Sequence, residues 1–401
     1  SSDKKVLANL FSMMLDEGAG KFDALEISNE FEVLGANFNI SCGSDSILIN
    51  LQTLTEHFDR SLELMSTIVT SPHFKSEDFD REKRKVLIKI LQIKDDIEDI
   101  ASSLFDYISF NKSNPYAFQT IGYEDTVKKI SVEDIKNFYH DYFTPNNSAL
   151  AVAGNISLEE LRKKLNKNFK VWKSKKFNSI SINQTKKSKT KVYLFDKKGS
   201  VQSEIRIGHV SSKRNEGNYF AKYILNTVLG GQFSSRINLN LREDKGYTYG
   251  AFSAFSYYKD DAYFYVSTSV GQKNTANAVN EIIKELNKIL DGVEFEELGF
   301  AQSSIIRKFP SNFETFGQIA SNLSSKIIHS LPDDYFNTFI KNIHQVTIDD
   351  VTASAKRNIF PDKLVIVVVG DKDNIVDSLK RLKISDEILE LNLEGKIINR
   401  Y

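Results

Sequence analysis

Cysteine is nearly absent from this chain of 401 residues, and the single Cys42 excludes an internal disulfide while leaving the redox compartment open. Long apolar runs are missing too. Nothing approaches the roughly 20 residues a helix needs to cross a bilayer, so no transmembrane segment is expected. Net charge is lacking, since 53 Lys and Arg balance 53 Asp and Glu. That balance argues against nucleic-acid binding and a general membrane-surface role, both of which usually go with a basic excess. Histidine is scarce: His57, His73, His140, His209, His329 and His344 are all there are, and no two stand four apart, as two ligands on one helix face would. There is no Cys-x-x-Cys, no Gly-x-Ser-x-Gly elbow, and no P-loop lysine after the glycine pairs. A self-contained zinc site is therefore not expected. The chain opens at Ser1, not Met, directly ahead of an apolar helical pattern. A further segment is expected upstream, and any signal peptide lies outside this sequence.

What is present fits a packed protein of two or more domains: 41% hydrophobic and 26% charged residues over this length. The strongest organising signal is internal. Residues 131–154, SVEDIKNFYHDYFTPNNSALAVAG, and 347–370, TIDDVTASAKRNIFPDKLVIVVVG, align in one register, with Asp134, Pro145 and Gly154 opposite Asp350, Pro361 and Gly370. Each reads as a capped helix starting at Ser131 or Thr347, a proline break, then an apolar strand, Ser148–Ala153 or Leu364–Val369. Two homologous halves follow. Ser46–Leu51, Val192–Phe195 and Tyr263–Val270 are strand-like. Phe58, Leu62, Met65, Ile68 and Val69, and likewise Val279, Ile282, Ile283, Leu286, Ile289 and Leu290, form helical stripes expected to be core. Residues 173–191 hold seven lysines and no acid, the composition of an exposed linker. Strands and helices alternate irregularly, which favours α+β layers over a doubly wound sheet.

The most unusual stretch is 229–253, LGGQFSSRINLNLREDKGYTYGAFS. Gly230 and Gly231 allow a tight turn or a close backbone approach. Ser234 and Ser235 suit helix caps for a segment Arg236–Arg242, Lys245-Gly246 breaks it, and Tyr247, Thr248 and Tyr249 alternate as in a strand. Arg242 at a helix end and Tyr249 on the following strand are both donors, able to hold a peptide carbonyl or an oxyanion in one cleft. The plainer alternative is an Arg closing a helix C-terminus and a Tyr in a sheet core.

Over nearly its whole length the sequence resembles the pitrilysin, insulinase and mitochondrial-processing-peptidase family, whose zinc motif is the inverted His-x-x-Glu-His. The family's opening helix, roughly GLAHFLEHML, aligns without a gap with VLANLFSMML from Val6, followed by Asp16-Glu17-Gly18. Asn9, Ser12 and Met13 stand at the two histidines and the glutamate between them. The segment FDREKRKVLIKI from Phe79 puts Lys89 at the third ligand, a glutamate in the family. A neutral thioether and an ammonium do not hold Zn²⁺. The second half keeps the family's Arg, then Tyr seven residues later, as Arg242 and Tyr249, behind LGGQFSSR. It resembles the non-zinc subunit of bacterial two-component members. Gly230-Gly231 is only a short version of the long glycine-rich loop of the mitochondrial α-subunit, which speaks against presequence processing.

The resemblance implies a two-domain α+β chain forming half of a peptidase clamshell, each domain an antiparallel-rich sheet covered by helices on one face, with strands ahead of the opening helix. The expected division is 1–172, a linker at 173–191, and 192–401. The expected function is the substrate-binding, non-catalytic subunit of a heterodimeric zinc peptidase acting on unfolded peptides. It carries no cofactor of its own, and zinc sits in a homologous partner bearing the intact motif. An extracytoplasmic bacterial setting goes with it. The alternatives are an inactive scaffold, as in respiratory-complex core subunits of this fold, or a peptide-binding module.

Overall fold

A computed structural model describes residues 6–110, 112–177, 182, 185, 186 and 188–401. Ser1–Lys5 and part of the lysine-rich stretch 173–191 lie outside the described residues. The chain forms two compact units. One comprises residues 1–92, 119–181 and 312–328; the other comprises 93–118, 182–311 and 329–401.

The first unit is built mainly of helices. The opening helix Leu7–Met14 buries Leu7, Leu10, Phe11 and Met14. The Phe11 ring sits 4.9 Å from that of Phe138 and 5.2 Å from that of Phe143. The stripe predicted around Leu62 is helix Phe58–Thr70, with Leu62, Met65, Ile68 and Val69 buried. Ile47–Gln52 pairs antiparallel with Asn37–Cys42, and burial alternates along both strands as the pleat requires.

The two aligned segments begin with the same cap. In helix Val132–Tyr142 the Ser131 hydroxyl accepts from Asp134 N–H, and Asp134 accepts from Ser131 N–H at 3.0 Å. Helix Ile348–Asn358, in the second unit, has the same reciprocal pair in Thr347 and Asp350, also at 3.0 Å. Those bonds hold the Asp350 carboxyl below its ordinary range. The strands after the two helices differ. Leu364–Val369 becomes a buried strand, Val365–Gly370. Ser148–Ala153 does not form the expected strand: it joins no ladder among the described residues, and its side chains are exposed or half-buried. An apolar run without a neighbouring strand has no partner for its N–H and C=O groups and leaves them to water.

The second unit centres on a sheet of seven strands: β1 (Lys191–Asp196), β2 (Gln202–Val210), β3 (Ala251–Tyr257), β4 (Ala262–Gly271), β5 (Val365–Gly370), β6 (Ile388–Leu391) and β7 (Ile397–Arg400). Their spatial order is β7-β6-β1-β5-β2-β4-β3. β1 runs parallel to β5 and β6, and every other pair is antiparallel.

Contrary to the expectation of helices on one face, both faces of this sheet are covered. Val192, Leu194, Ile205, Ile207, Ile366 and Val368 pack with the helices Tyr219–Leu229, Thr275–Lys288 and Ile348–Asn358. The alternate residues Tyr193, Val365, Val367, Val369 and Leu389 pack against Ile100, Leu104 and Phe105 of helix Ile97–Ser109. The reason lies in the strand itself. A run such as LVIVVV is apolar at both parities, so each face needs a cover.

That covering helix carries a half-buried acid, Asp106. Burial pushes the Asp106 carboxyl up to about 7, against the opposing pull of a hydrogen bond from Tyr263 and the charge of Arg206. The fold therefore binds this proton more tightly than the unfolded chain does. Asp106 costs stability as pH rises from about 4 to about 7, and nothing further above that. The urea midpoint is expected to fall between pH 5 and pH 8. Asp106→Asn should remove a part on the order of 1–3 kcal/mol of that fall. An unchanged slope in the variant would show that other groups carry it.

Candidate functional site

The segment 229–253 lies wholly in the second unit. Helix Tyr219–Leu229 ends at Gly230, whose carbonyl accepts from Ser253 N–H at 2.9 Å. A Cβ on Gly230 would stand 2.4 Å from Ser253 Oγ and 2.6 Å from its nitrogen, and one on Gly231 would stand 2.9 Å from the Asn226 carbonyl oxygen. The glycine pair thus serves close approach. Asn226 Nδ2 also donates to the Ser253 carbonyl at 3.0 Å. Together these bonds cap the outer edge of β3, the last strand of the sheet, where an open edge would invite pairing.

Three local expectations are corrected. Ser235 stands at the N-cap of Arg236–Asn238, but its side chain makes no cap bond. The helix does not run regularly to Arg242: after one turn it widens to i→i+5 bonding over Leu239–Asp244, with Lys245 N–H donating to Asn240 O at 3.0 Å. Such π turns recur at functional sites. Tyr247–Tyr249 is not strand, and β3 starts at Ala251. The competing structure is a turn held by side chains. Thr248 Oγ1 donates to Gly250 O at 2.8 Å, and Thr268 Oγ1 donates to the same carbonyl at 3.0 Å. Gly246, at φ +62°, closes the π turn, and Tyr247 N–H returns to Leu241 O at 2.8 Å.

One buried amide ties these pieces together. Asn238, 3% exposed, donates through Nδ2 to Phe233 O at 2.6 Å and accepts at Oδ1 from Ala251 N–H at 3.0 Å. It links the loop before the short helix to the strand that follows Tyr249. Arg242 follows on the π turn. Its guanidinium lies 4.2 Å from the centre of the Phe233 ring, with Nη1 3.2 Å from the Glu243 carboxylate. The ring face holds the planar cation, and the charge stays partly accessible. Tyr249 is 94% exposed. It is not the core tyrosine of the plainer alternative. Phe233 and Asn238 were not singled out in the sequence. The available signal was a polar residue at a helix position otherwise shared by Ile237 and Leu241.

The four positions aligned with the zinc motif lie in the first unit. Asn9, Ser12 and Met13 are on the opening helix, and Ser12 Oγ donates to Asn9 O at 2.7 Å. Met13 packs against the hydrophobic core, while Lys89 is exposed on helix Ser76–Ile93. These residues do not fit zinc: a thioether turned to the core, a hydroxyl bonded within its own helix, and an ammonium. Among the described residues no group of three or more His, Cys, Asp or Glu is placed to hold a metal. Three acids nearby pair with cations. Arg81 pairs with Glu17 and with Asp78, and Lys85 with Glu82 at 2.7 Å. Burial, with a hydrogen bond to Glu82, pushes Glu17 up to about 7.

Two family models match, the insulinase (peptidase family M16) model over residues 2–114 and the peptidase M16 inactive domain over residues 129–305. The chain belongs to the M16 (insulinase) peptidase family. It is 23% identical over 376 residues to an uncharacterised zinc protease, YmxG, of Bacillus subtilis, covering 92% of this chain and 89% of that protein. It is also 23% identical over 377 residues to the non-peptidase homologue YmxG of Helicobacter pylori, covering 92% and 86%. Among solved structures, a peptidase M16 inactive domain from Pseudomonas fluorescens superposes with a TM-score of 0.81 at 23% identity, over 90% of this chain and 87% of that one.

Proposed function

We propose that this chain is the substrate-binding, non-catalytic subunit of a two-subunit zinc peptidase that acts on unfolded peptides. The observation that carries the reading is that one pinned segment holds both a fully presented phenol, Tyr249, and a guanidinium, Arg242, laid on the Phe233 ring. Exposed donors on a rigid frame are what stabilisation of a developing oxyanion requires. A homologous partner with an intact motif would supply the zinc and the general base. The two homologous halves, joined through 173–191, and an extracytoplasmic bacterial setting belong to the same proposal. The competing reading is a scaffold without chemistry. It draws support from the four replaced positions and from the non-peptidase homologue.

Reconstitution separates the two. Alone, the purified chain is expected to hold far less than one zinc and to cleave no peptide. Co-expressed with a zinc-motif homologue, it should form a mixed dimer burying well over about 1,000 Å² and cleave an unstructured peptide. Stoichiometric zinc on the isolated chain, or a stable homodimer indifferent to every such homologue, would overturn the proposal.

A further inference from the structure

The zero net charge hides a strong separation. From Leu161 to Phe195 the chain carries twelve Lys and Arg and not one acid, so the remainder bears the compensating negative charge. The part of this stretch up to residue 177 lies in the first unit. Helix Leu158–Asn168 has no buried residue. Arg162, Lys163, Lys167 and Lys170 are exposed along it and just beyond, and Lys173 and Lys176 continue the array. None of these six makes an ion pair among the described residues, whereas Lys164, on the inner side, pairs with Asp59 and Glu160. The chain after the helix is anchored from within: Trp172 Nε1 donates to Phe143 O at 3.1 Å, and its ring packs on Phe143 and Phe169. That anchor turns Val171 outward, 67% exposed, among the lysines, and Leu158 stands 62% exposed at the far end of the helix, beyond the exposed acids Glu159 and Glu160 of its first turn.

We propose that this face docks on an anionic phospholipid bilayer. Three features select that occupant. Five of the six cations in the array are lysine, a hydrated point charge without the fork that arginine offers to a carboxylate. Lysine is depleted at protein–protein interfaces, while clusters of it act additively on the diffuse field of anionic headgroups. The aromatic rings that anchor the segment are turned inward, which leaves no stacking platform for nucleic-acid bases. The exposed apolar side chains are aliphatic and flank the charges, as in segments that adsorb to a membrane interface. A plane touched by one patch also avoids the negative remainder of the chain, which a wrapping polyanion would meet.

The test is co-sedimentation of the whole chain with extruded vesicles of phosphatidylcholine, with and without about 30 mol% phosphatidylglycerol. Binding is expected on the mixed vesicles only, and should be lost in about 0.5 M NaCl, where screening is strong. The triple variant Lys163→Glu, Lys167→Glu, Lys170→Glu should bind about a hundredfold more weakly, at roughly 1 kcal/mol per lysine removed. All three side chains are exposed, so its thermal melt should match that of the unaltered chain. A control of equal charge change on other exposed residues, Lys341→Glu, Lys356→Glu, Arg357→Glu, should retain binding. Equal loss in both triple variants would reduce the effect to net charge and overturn the proposal. So would binding to single-stranded DNA or polyglutamate without binding to vesicles, or affinity for pure phosphatidylcholine.

Discussion

Tyr249→Phe is expected to lower kcat of the reconstituted peptidase by roughly 10²–10³ while KM moves little. The substitution deletes one hydroxyl. The ring is 94% exposed in the chain by itself, so neither the core nor the cap on β3 depends on that oxygen, and folding is expected to be unaffected. An effect confined to turnover is the mark of a donor used in the transition state more than in the ground state. Arg242→Lys should be impaired too. It keeps the charge but loses the planar group that lies on Phe233 and the paired N–H donors. The measurement is steady-state kinetics on an assembled complex, with assembly verified separately by size-exclusion chromatography. Near-normal turnover of Tyr249→Phe in an intact complex would make the pair architectural, and the scaffold reading would then lead.

Gly208→Ala is expected to cost about 3 kcal/mol or more of stability, or to prevent folding. Gly208 sits in β2 opposite Tyr265 of β4 and Val365 of β5. A Cβ there would stand 1.9 Å from the Phe264 carbonyl oxygen, 2.8 Å from Tyr265 Cα and 2.9 Å from the Phe105 ring. The first two are backbone atoms of a paired strand and cannot swing aside. The third belongs to the helix that covers the second face of the sheet. Relief would therefore require moving β4 or lifting helix Ile97–Ser109. At Gly271, the far end of β4, an added Cβ would meet nothing within 4 Å, and Gly271→Ala should stay within about 0.5 kcal/mol of the unaltered chain. Thermal melts of the two variants test the contrast. Similar melting temperatures would mean the sheet relaxes far more easily than its packing suggests.

Much of the fold was legible wherever the deciding interaction is local. The stripe of helix Phe58–Thr70, the paired capping boxes at Ser131 and Thr347, and the apolar run of β5 depend on neighbours within a few residues. The misreadings share the opposite cause. Tyr247–Tyr249 alternates like a strand but is held as a turn by Thr268, twenty residues from Thr248. Ser148–Ala153 carries a strand pattern, but pairing needs a second chain segment that no local pattern supplies. At the candidate site the motif spacing led to Arg242 and Tyr249. Asn238, which pins their frame, went unnoticed because an asparagine between apolar residues becomes informative only when its two backbone partners are known.

By itself, then, the amino-acid sequence determined what depends on chemical identity and near neighbours. Asn9, Ser12, Met13 and Lys89 are poor zinc ligands in any fold, because a thioether and an ammonium do not become carboxylates or imidazoles by being moved. The aligned register of 131–154 with 347–370 and the period of the apolar stripes are likewise properties of the string. Tertiary structure decided what depends on who stands next to whom. It set a helix from residue 97 to 109 beneath a sheet that starts at residue 191, brought the Gly230 carbonyl onto Ser253, and laid Arg242 on Phe233 while leaving Tyr249 in solvent. Those outcomes are settled by packing and hydrogen bonding between distant segments, where the free energy belongs to the pair and cannot be assigned to either stretch of chain before the two meet.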